Sequence, residues 1–307
     1  MRGKPRAPDI ATTRYHKTVP RQTLDWQSKL ILLLIVPLVA TDAALETTVW
    51  VRLDLHVLAW TLCLSATLGL AAWALRAGTA AAASTGAVLN ASLMYSTAQV
   101  PFAPWRTAIV PVLTFLVLTS LATRFGRAKK ERLGTAEARR GRLAAQVAAN
   151  IGFAALVCTA AVKAWLANEL GFRATLALPW FAIALAALAE AAADTISSEL
   201  GQVLGGTPRM ITTFRRVPPG TDGGITIAGT LAGIAAAGIV AGAGTWAVEG
   251  GVAMLAISWA GGVFGLLFDS LLGATAERRG WLNNDAVNFI STASASAFAA
   301  ALITVIR

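Results

Sequence analysis

Long apolar runs most strongly constrain how this 307-residue chain can fold. Each run is close to the roughly 20 residues that a helix needs to cross the hydrocarbon core of a bilayer. A composition of 56% hydrophobic and 14% charged residues fits the same class of protein. We therefore predict an all-α polytopic membrane protein with about nine transmembrane helices, at residues 30–48, 55–75, 79–99, 107–123, 143–165, 174–196, 225–246, 252–272 and 286–306.

The positions of lysine and arginine predict the orientation of these spans. Residues 1–28 form a basic, proline-punctuated arm, and residues 124–142 form a second basic segment. Nine alternating spans place both segments on one side, which the positive-inside rule assigns to the cytoplasm. The N-terminus is then cytosolic and the C-terminus external. A transit peptide of an organelle, also rich in arginine and poor in acids, is the alternative for the arm.

The net charge of +10 by itself would also be compatible with nucleic acid as a partner. Because the basic residues concentrate in the segments that flank the spans, we attribute them to membrane topology and predict no nucleic-acid partner. The predicted partner is the lipid bilayer, and the predicted location is the bacterial cytoplasmic membrane. Cys63 and Cys158 lie inside apolar runs and His16 and His56 lack spaced ligands, which disfavours a zinc site, a disulfide framework or a histidine triad.

Polar residues concentrate in residues 193–224, ADTISSELGQVLGGTPRMITTFRRVPPGTDGG, between two apolar runs. Backbone N–H groups freed by glycine and the forks of guanidinium groups both bind phosphates. We predict a nucleotide or phosphate site here on the cytosolic face. The alternative is a polar loop whose arginines serve only topology. The candidates in this segment are Arg209, Thr212, Thr213, Arg215, Arg216, Gly220, Thr221, Asp222, Gly223 and Gly224.

Carboxylates of the last four spans gather at the predicted cytosolic edge. Asp269 is the least easily dismissed, because apolar residues flank it and an unpaired charge there would be costly. Capping of the ninth helix is a sufficient alternative for Asp285 or Asn284. Mg²⁺ prefers carboxylate and phosphate oxygens, so it is the predicted metal. The predicted catalytic residues are Asp194, Glu199, Asp269 and Asp285, of which Asp194, Asp269 and Asp285 are the predicted metal ligands.

Small-residue spacings in the seventh and eighth spans predict close helix packing. The seventh contains Gly229-x-x-x-Gly233 and the eighth contains Gly261-x-x-x-Gly265. Such spacings let two helix backbones approach each other. We therefore expect these two spans in the core of the bundle.

Four ordered blocks resemble one family of membrane proteins. They are ADTISSELG, TPRMITTFRRVPPGTDGG, GLLFDSLLGA at residues 265–274 and NNDAVNF at residues 283–289. The family they resemble includes the chloroplast phytyl-phosphate kinase. The resemblance runs from about residue 79 to the C-terminus, so residues 29–76 form an extra helix pair and residues 77–307 the family domain. It adds Arg140, Arg142, Asn284 and Asn288 as candidate phosphate contacts.

The resemblance implies a membrane-embedded isoprenoid phosphate kinase. Such an enzyme would transfer a phosphoryl group from a nucleoside triphosphate, CTP by resemblance, to phytyl phosphate or a similar isoprenyl monophosphate. Two alternatives remain open: a CTP-dependent lipid cytidylyltransferase, and a transporter of lipids or anions. The oligomeric state is also open, with a homodimer among the possibilities.

Overall fold

Helices dominate the computed structural model, which describes residues 24–136, 141–170 and 179–305. Most of the predicted basic arm, together with Arg140, lies outside the described residues. A short antiparallel ribbon pairs β1 (Arg209–Met210) with β2 (Gly224–Ile225). The helices are α1 (Asp25–Leu53), α2 (Leu55–Ala74), α3 (Ala80–Thr97), α4 (Ile109–Arg124), α5 (Arg127–Leu133), α6 (Ala144–Val157), α7 (Ala160–Leu170), α8 (Pro179–Leu204), α9 (Ile227–Ala247), α10 (Val252–Leu272) and α11 (Asn284–Val305).

The helical membrane architecture agrees with the prediction, but the count of nine spans is not confirmed. In the described part of the chain, six helices are long and apolar enough to cross a membrane, or eight if each of two bent pairs is one span. The six are α1, α2, α8, α9, α10 and α11. The predicted fifth span breaks where α6 meets α7, with their axes 56° apart. The predicted third span is the 18-residue α3, which contains the buried polar residues Asn90, Ser92 and Thr97 and is not among the six.

The described basic segments gather at one end of the helix bundle. The Arg142 N–H donates to the Ala77 carbonyl oxygen at 3.0 Å, which ties the start of α6 to the start of α3. The Lys129 ammonium donates to the Val203 carbonyl oxygen at 2.7 Å, which ties α5 to the end of α8. We call this end, comprising residues 24–28, 76–79, 124–136, 141–143, 204–226 and 273–285, the basic end. It brings together the segments that the sequence assigned to one side of the membrane.

The centre of the bundle is α8 rather than the glycine-rich α9 and α10. Residues 181–193 of α8 are all buried, and many of them are alanines. In an apolar 18-residue stretch of each helix, 83% of the α8 residues are buried, compared with only 39% in α9 and in α10. The expectation that α9 and α10 lie in the core therefore holds for only one side of each helix, which packs on α8. The α9 glycines face α8 and α10, while Ile227, Leu231 and Ile239 of α9 are exposed.

The glycines nevertheless provide the close approach that their spacing predicts. A Cβ at Gly233 would lie 2.8 Å from the Ala193 carbonyl oxygen of α8. A Cβ at Gly261 would lie 2.9 Å from the Ala295 carbonyl oxygen of α11. In a bilayer, helices associate through such packing, since lipid tails are as apolar as leucine side chains. These contacts hold α9 close against α8 and α10 close against α11.

Candidate functional site

Three carboxyl groups lie near one another where α8 packs against α10. Glu190 and Asp194 lie one helical turn apart on one face of α8. The Asp269 carboxyl of α10 interacts with the Asp194 carboxyl. The Ser291 side chain of α11 interacts with both Glu190 and Asp269. We call Glu190, Asp194 and Asp269 the acid cluster.

Glycine on α10 makes this meeting of carboxyl groups possible. A Cβ at Gly265 would collide with the Glu190 side chain and lie 2.8 Å from the Ala295 Cβ. Glu190 itself is only 1% exposed, whereas Asp194 and Asp269 are partly buried. The acid cluster therefore runs from the interior of α8 towards the basic end.

Two carboxyl oxygens of the acid cluster have no hydrogen-bond partner among the described residues. They are the Glu190 Oε1 and the Asp269 Oδ2 atoms, and both are buried. Buried carboxyl groups at such close quarters need protons or a cation to offset their repulsion. Hard oxygen donors with unused lone pairs fit Mg²⁺. No three His, Cys, Asp or Glu side chains in the described ranges converge closely enough to hold a metal alone. That is compatible with Mg²⁺, which usually takes one or two carboxylates and completes its shell with water and phosphate.

Arg142 supplies positive charge beside the acid cluster. It interacts electrostatically with Asp194. Its backbone is fixed on both sides, because the Arg142 N–H donates to Ala77 and the Arg142 carbonyl accepts from the Thr79 N–H, each at 3.0 Å. Gly141 precedes it with φ +74°, and a Cβ there would lie 2.6 Å from the Arg76 carbonyl oxygen. The predicted phosphate residue Arg142 is thus held rigidly next to the predicted catalytic residue Asp194.

The predicted phosphate segment folds into a compact loop at the same end. Beside the β1–β2 ribbon, residues 215–217 fold back on β1 through hydrogen bonds from the Met210 N–H to the Arg215 carbonyl at 2.9 Å and from the Val217 N–H to the Pro208 carbonyl at 3.0 Å. The Arg209 guanidinium donates to the Phe214 carbonyl at 2.9 Å. We call residues 207–226 the phosphate loop. Its exposed candidates are Arg209, Thr212, Thr213, Arg215, Arg216 and Gly220.

The second half of the phosphate loop packs on the end of α10. Beyond Leu272 the helix widens into a π-helical turn, Gly273–Glu277. Gly223, with φ +75°, leaves no room for a Cβ against Ala274, and a Cβ at Gly273 would lie 2.8 Å from the Gly223 nitrogen. The partly buried Thr221, Asp222 and Gly224 flank this contact. Glu277 in the π-helical turn interacts electrostatically with Asp269, so the loop lies just beyond the acid cluster.

Glu199 faces a different partner from the one that the sequence led us to expect. Its carboxylate forms an ion pair with Lys130 of α5, whose side chain is only 1% exposed. The Lys130 ammonium also donates to the carbonyl oxygens of Ala122 at 3.0 Å and Thr123 at 2.6 Å. This arrangement gives Glu199 a structural reason to be acidic, at a joint between α4, α5 and α8.

The third predicted metal ligand lies apart from the other two. Asp285 interacts with Ser28 and Asp25 of α1. Six residues separate it from Ser291, about 240° around α11 at 100° per residue, so the two side chains point in different directions. The structure therefore brings Asp194 and Asp269 together and places Asp285 against α1.

Neither Asp285 nor Asn284 caps α11, contrary to the alternative considered for them. The cap is Asn283, whose Oδ1 accepts from the Ala286 N–H at 2.9 Å. The Asn283 side-chain amide also donates to the Leu24 carbonyl at 2.8 Å and to the Ser28 hydroxyl at 2.9 Å. Asn283 caps the helix because its side chain can reach the N–H group of the third helical residue, Ala286.

Asn284, Asn288 and Ser291 form a polar stripe on α11. Their spacing of four and three residues puts them on one face. Ser291 ends the stripe at the acid cluster, and its hydroxyl also donates to the Asn288 carbonyl at 2.9 Å. Sequence reasoning missed Ser291 as part of the site, although this spacing inside an apolar span could have revealed it.

Comparison with known proteins identifies relatives over most of the chain. The model of the family described as integral membrane protein DUF92 matches residues 64–296. An uncharacterized membrane protein of Synechocystis is 32% identical over 211 residues, 64% of this chain and 73% of that protein. An uncharacterized membrane protein of Methanocaldococcus jannaschii is 44% identical over 108 residues, 35% of this chain and 45% of that protein.

The comparison also finds a plant relative. The chloroplast protein VTE6 of Arabidopsis thaliana is 30% identical over 188 residues, 59% of this chain and 54% of that protein. The chain thus spans about half the length of two of these three relatives. No solved structure matches. The family model covers well over half of the chain, including the acid cluster and the phosphate loop, so the chain belongs to the DUF92 family of integral membrane proteins, as its resemblance to the family of the chloroplast phytyl-phosphate kinase led us to expect.

Proposed function

We propose that this protein is a membrane-embedded isoprenoid phosphate kinase. It transfers the γ-phosphoryl group of a nucleoside triphosphate to an isoprenyl monophosphate such as phytyl phosphate. The observation that carries the proposal is that Asp194 interacts with both Asp269 and Arg142 at the end of the bundle where the phosphate loop lies. The matched relative VTE6 and the family resemblance support the choice of a phosphorylated isoprenoid as substrate.

The chemistry asks little of the protein beyond positioning and charge neutralisation. An oxygen of the acceptor phosphate attacks the γ-phosphorus, the bond from that phosphorus to the β-phosphate oxygen breaks, and the nucleoside diphosphate leaves with the electron pair. A phosphate monoester has a second pKa near 6, so its attacking oxygen is already anionic at neutral pH. An alcohol acceptor would instead need a base to take its proton. We therefore expect monophosphates to be better acceptors than alcohols.

The residues of the site divide between the two phosphate groups. Arg209, Arg215 and Arg216 are exposed on the phosphate loop, where they contact the triphosphate of the donor. Arg142 holds the acceptor phosphate beside Asp194. Mg²⁺, held by Asp194 and Asp269, would neutralise phosphate charge during the transfer. CTP is the donor that the family resemblance implies.

Product analysis tests the proposal directly. Purified protein in detergent is given Mg²⁺, CTP labelled at the γ- or the α-phosphate, and phytyl monophosphate or phytol. We expect γ-label in a lipid diphosphate and release of CDP. Transfer of α-label with release of pyrophosphate would establish the cytidylyltransferase instead. Absence of transfer from CTP, ATP, GTP and UTP, in protein that remains folded, would refute the kinase.

One observation favours a second candidate, a transporter. Glu190 lies eleven residues into the 26-residue α8, is almost fully buried and has an unpartnered oxygen. Ionisable residues in the middle of spans commonly belong to ion or substrate pathways. Uptake of radiolabelled phytyl phosphate or inorganic phosphate into proteoliposomes that lack nucleotide would support this candidate. Uptake that is lost in Glu190→Gln would establish it.

A further inference from the structure

A cavity that Arg142 helps to line opens between helices at the basic end. Its volume is about 270 Å³, and α2, α3, α4 and α6 contribute its walls. The walls are largely apolar deeper in the bundle. The residues that form this apolar part include Leu68, Ala72, Ala83, Val112, Phe115 and Leu116.

Four arginines line the same cavity towards the basic end: Arg76, Arg124, Arg127 and Arg142. No Asp or Glu is among the described residues that line it. Arg127 is paired with Glu131 at 3.0 Å, so its charge is partly offset. An apolar chamber with a cluster of guanidinium groups at one end matches an amphiphile with an anionic head.

We propose that this cavity binds the lipid acceptor, a single-chain lipid monophosphate. The phosphate lies among Arg76, Arg124 and Arg142, and the first part of the chain lies along α2, α3 and α4. The proposal rests on the proposed function and assigns its second substrate to a place in the fold. Arg142 is the link, since it lines the cavity and interacts with Asp194.

The dimensions and surroundings of the cavity favour one chain over two. Its volume of about 270 Å³ lies just below the range for ligand pockets, roughly 300–1,000 Å³. The outer wall of the cavity is α2, and only 22% of an apolar 18-residue stretch of this helix is buried. The rest of a long lipid chain can therefore continue past α2 into the bilayer. A phospholipid carries two chains and needs a wider opening.

Filling the cavity tests the position of the chain. A Cβ at Gly86 of α3 would meet only the Val147 Cγ1, at 3.8 Å, so Gly86→Leu adds its bulk without a backbone clash. The matched control is Gly242→Leu on α9, whose Cβ would meet only the Leu255 Cδ1, at 4.0 Å. We expect Gly86→Leu to weaken binding of phytyl monophosphate about tenfold or more, because about two methylene groups of the lipid chain would no longer be buried. Gly242→Leu should leave it unchanged.

Removing the arginines tests the position of the phosphate. Arg124→Gln and Arg76→Asn should each weaken the binding of phytyl monophosphate about tenfold, because each removes a charge-assisted contact to the phosphate. The binding of phytol should not change. Asn suits Arg76 because it tolerates the positive φ of 55° there. The control is Arg279→Gln, whose guanidinium stacks on Trp281 outside the cavity.

Binding is measured by native mass spectrometry in detergent without nucleotide, with phytyl monophosphate, phytol, inorganic phosphate and phosphatidylglycerol as probes. Unchanged affinity in Gly86→Leu, or equally tight binding of phosphatidylglycerol, overturns the proposal. The two proposals can fail separately. Lipid phosphate binding with these variant effects but no phosphoryl transfer refutes the kinase and keeps the cavity. Phosphoryl transfer with an unchanged KM for phytyl phosphate in Gly86→Leu refutes the cavity as the acceptor site and keeps the kinase.

Discussion

Lys130→Met should destabilise the protein markedly, because it leaves Glu199 without its cation. The Lys130 and Glu199 side chains are only 1% and 15% exposed, so water screens their interaction little. Breaking a buried ion pair from one side costs about 3–5 kcal/mol, and here two backbone carbonyls lose their donor as well. At about 2 °C per kcal/mol for a chain of this size, the apparent Tm should fall by roughly 6–10 °C.

The measurement is thermal unfolding in detergent at one fixed heating rate, because membrane proteins often unfold irreversibly. The matched control is Arg127→Gln, which removes an i,i+4 pair with Glu131 whose side chains are 39% and 45% exposed. Such surface pairs contribute about 0–1 kcal/mol, so this variant should unfold within about 2 °C of the native protein. An equal Tm for the two variants would refute a structural role for the buried pair.

A double variant separates the structural role of Glu199 from the predicted catalytic one. Lys130→Met with Glu199→Leu replaces the buried pair by apolar side chains, which is often neutral for stability. We expect it to recover most of the lost Tm and to retain phosphoryl transfer. A stable double variant without activity would instead establish Glu199 as a catalytic residue.

Two further predictions concern the active site and the topology. Asp194→Asn and Asp269→Asn should each lower phosphoryl transfer by about 10–100-fold or more with the protein still folded, whereas Asp285→Asn should have the smaller effect because it faces α1; a ranking with Asp285→Asn as the most damaging would contradict the site. Single cysteines at Thr213 and Arg132 should react with a membrane-impermeant thiol reagent from the same side of the membrane, and reaction from opposite sides would contradict a common basic end.

The sequence predicted most of the helices because apolar length is a local property. The runs at 225–246 and 252–272 agree with α9 and α10 within a few residues. The count of nine spans is not confirmed, because tertiary context decides whether an apolar run forms one continuous helix. The run at 143–165 is largely apolar, yet the helix breaks after Val157. The Asp42 side chain of α1 accepts a hydrogen bond from the Ala160 N–H at 2.9 Å, beside the break. A contact made 118 residues away along the chain cannot be read from local hydropathy.

The site was predictable where one helix carries its parts and unpredictable where packing chooses partners. The i,i+4 pair of Glu190 and Asp194 follows from helical periodicity. The separation of Asp285 from Asp194 and Asp269 does not, because all three belong to spans that end at the same membrane edge. Which of these acids meet depends on how α11 is rotated about its axis. Asn283 and the small residues facing α8 and α10 fix that rotation.

The contact between Gln27 and Asn283 has a consequence for synthesis of the chain. The Asn283 N–H donates to the Gln27 Oε1 at 2.8 Å across 256 residues of sequence, and the Gln27 amide donates to the neighbouring Trp281 carbonyl. At about 5–20 residues per second, a ribosome needs roughly 13–50 s to make the intervening chain. During that interval α1 resides in the membrane without its last partner. Its largely apolar sequence, with few charges within the span, suits a helix that lies in lipid before the other helices pack against it.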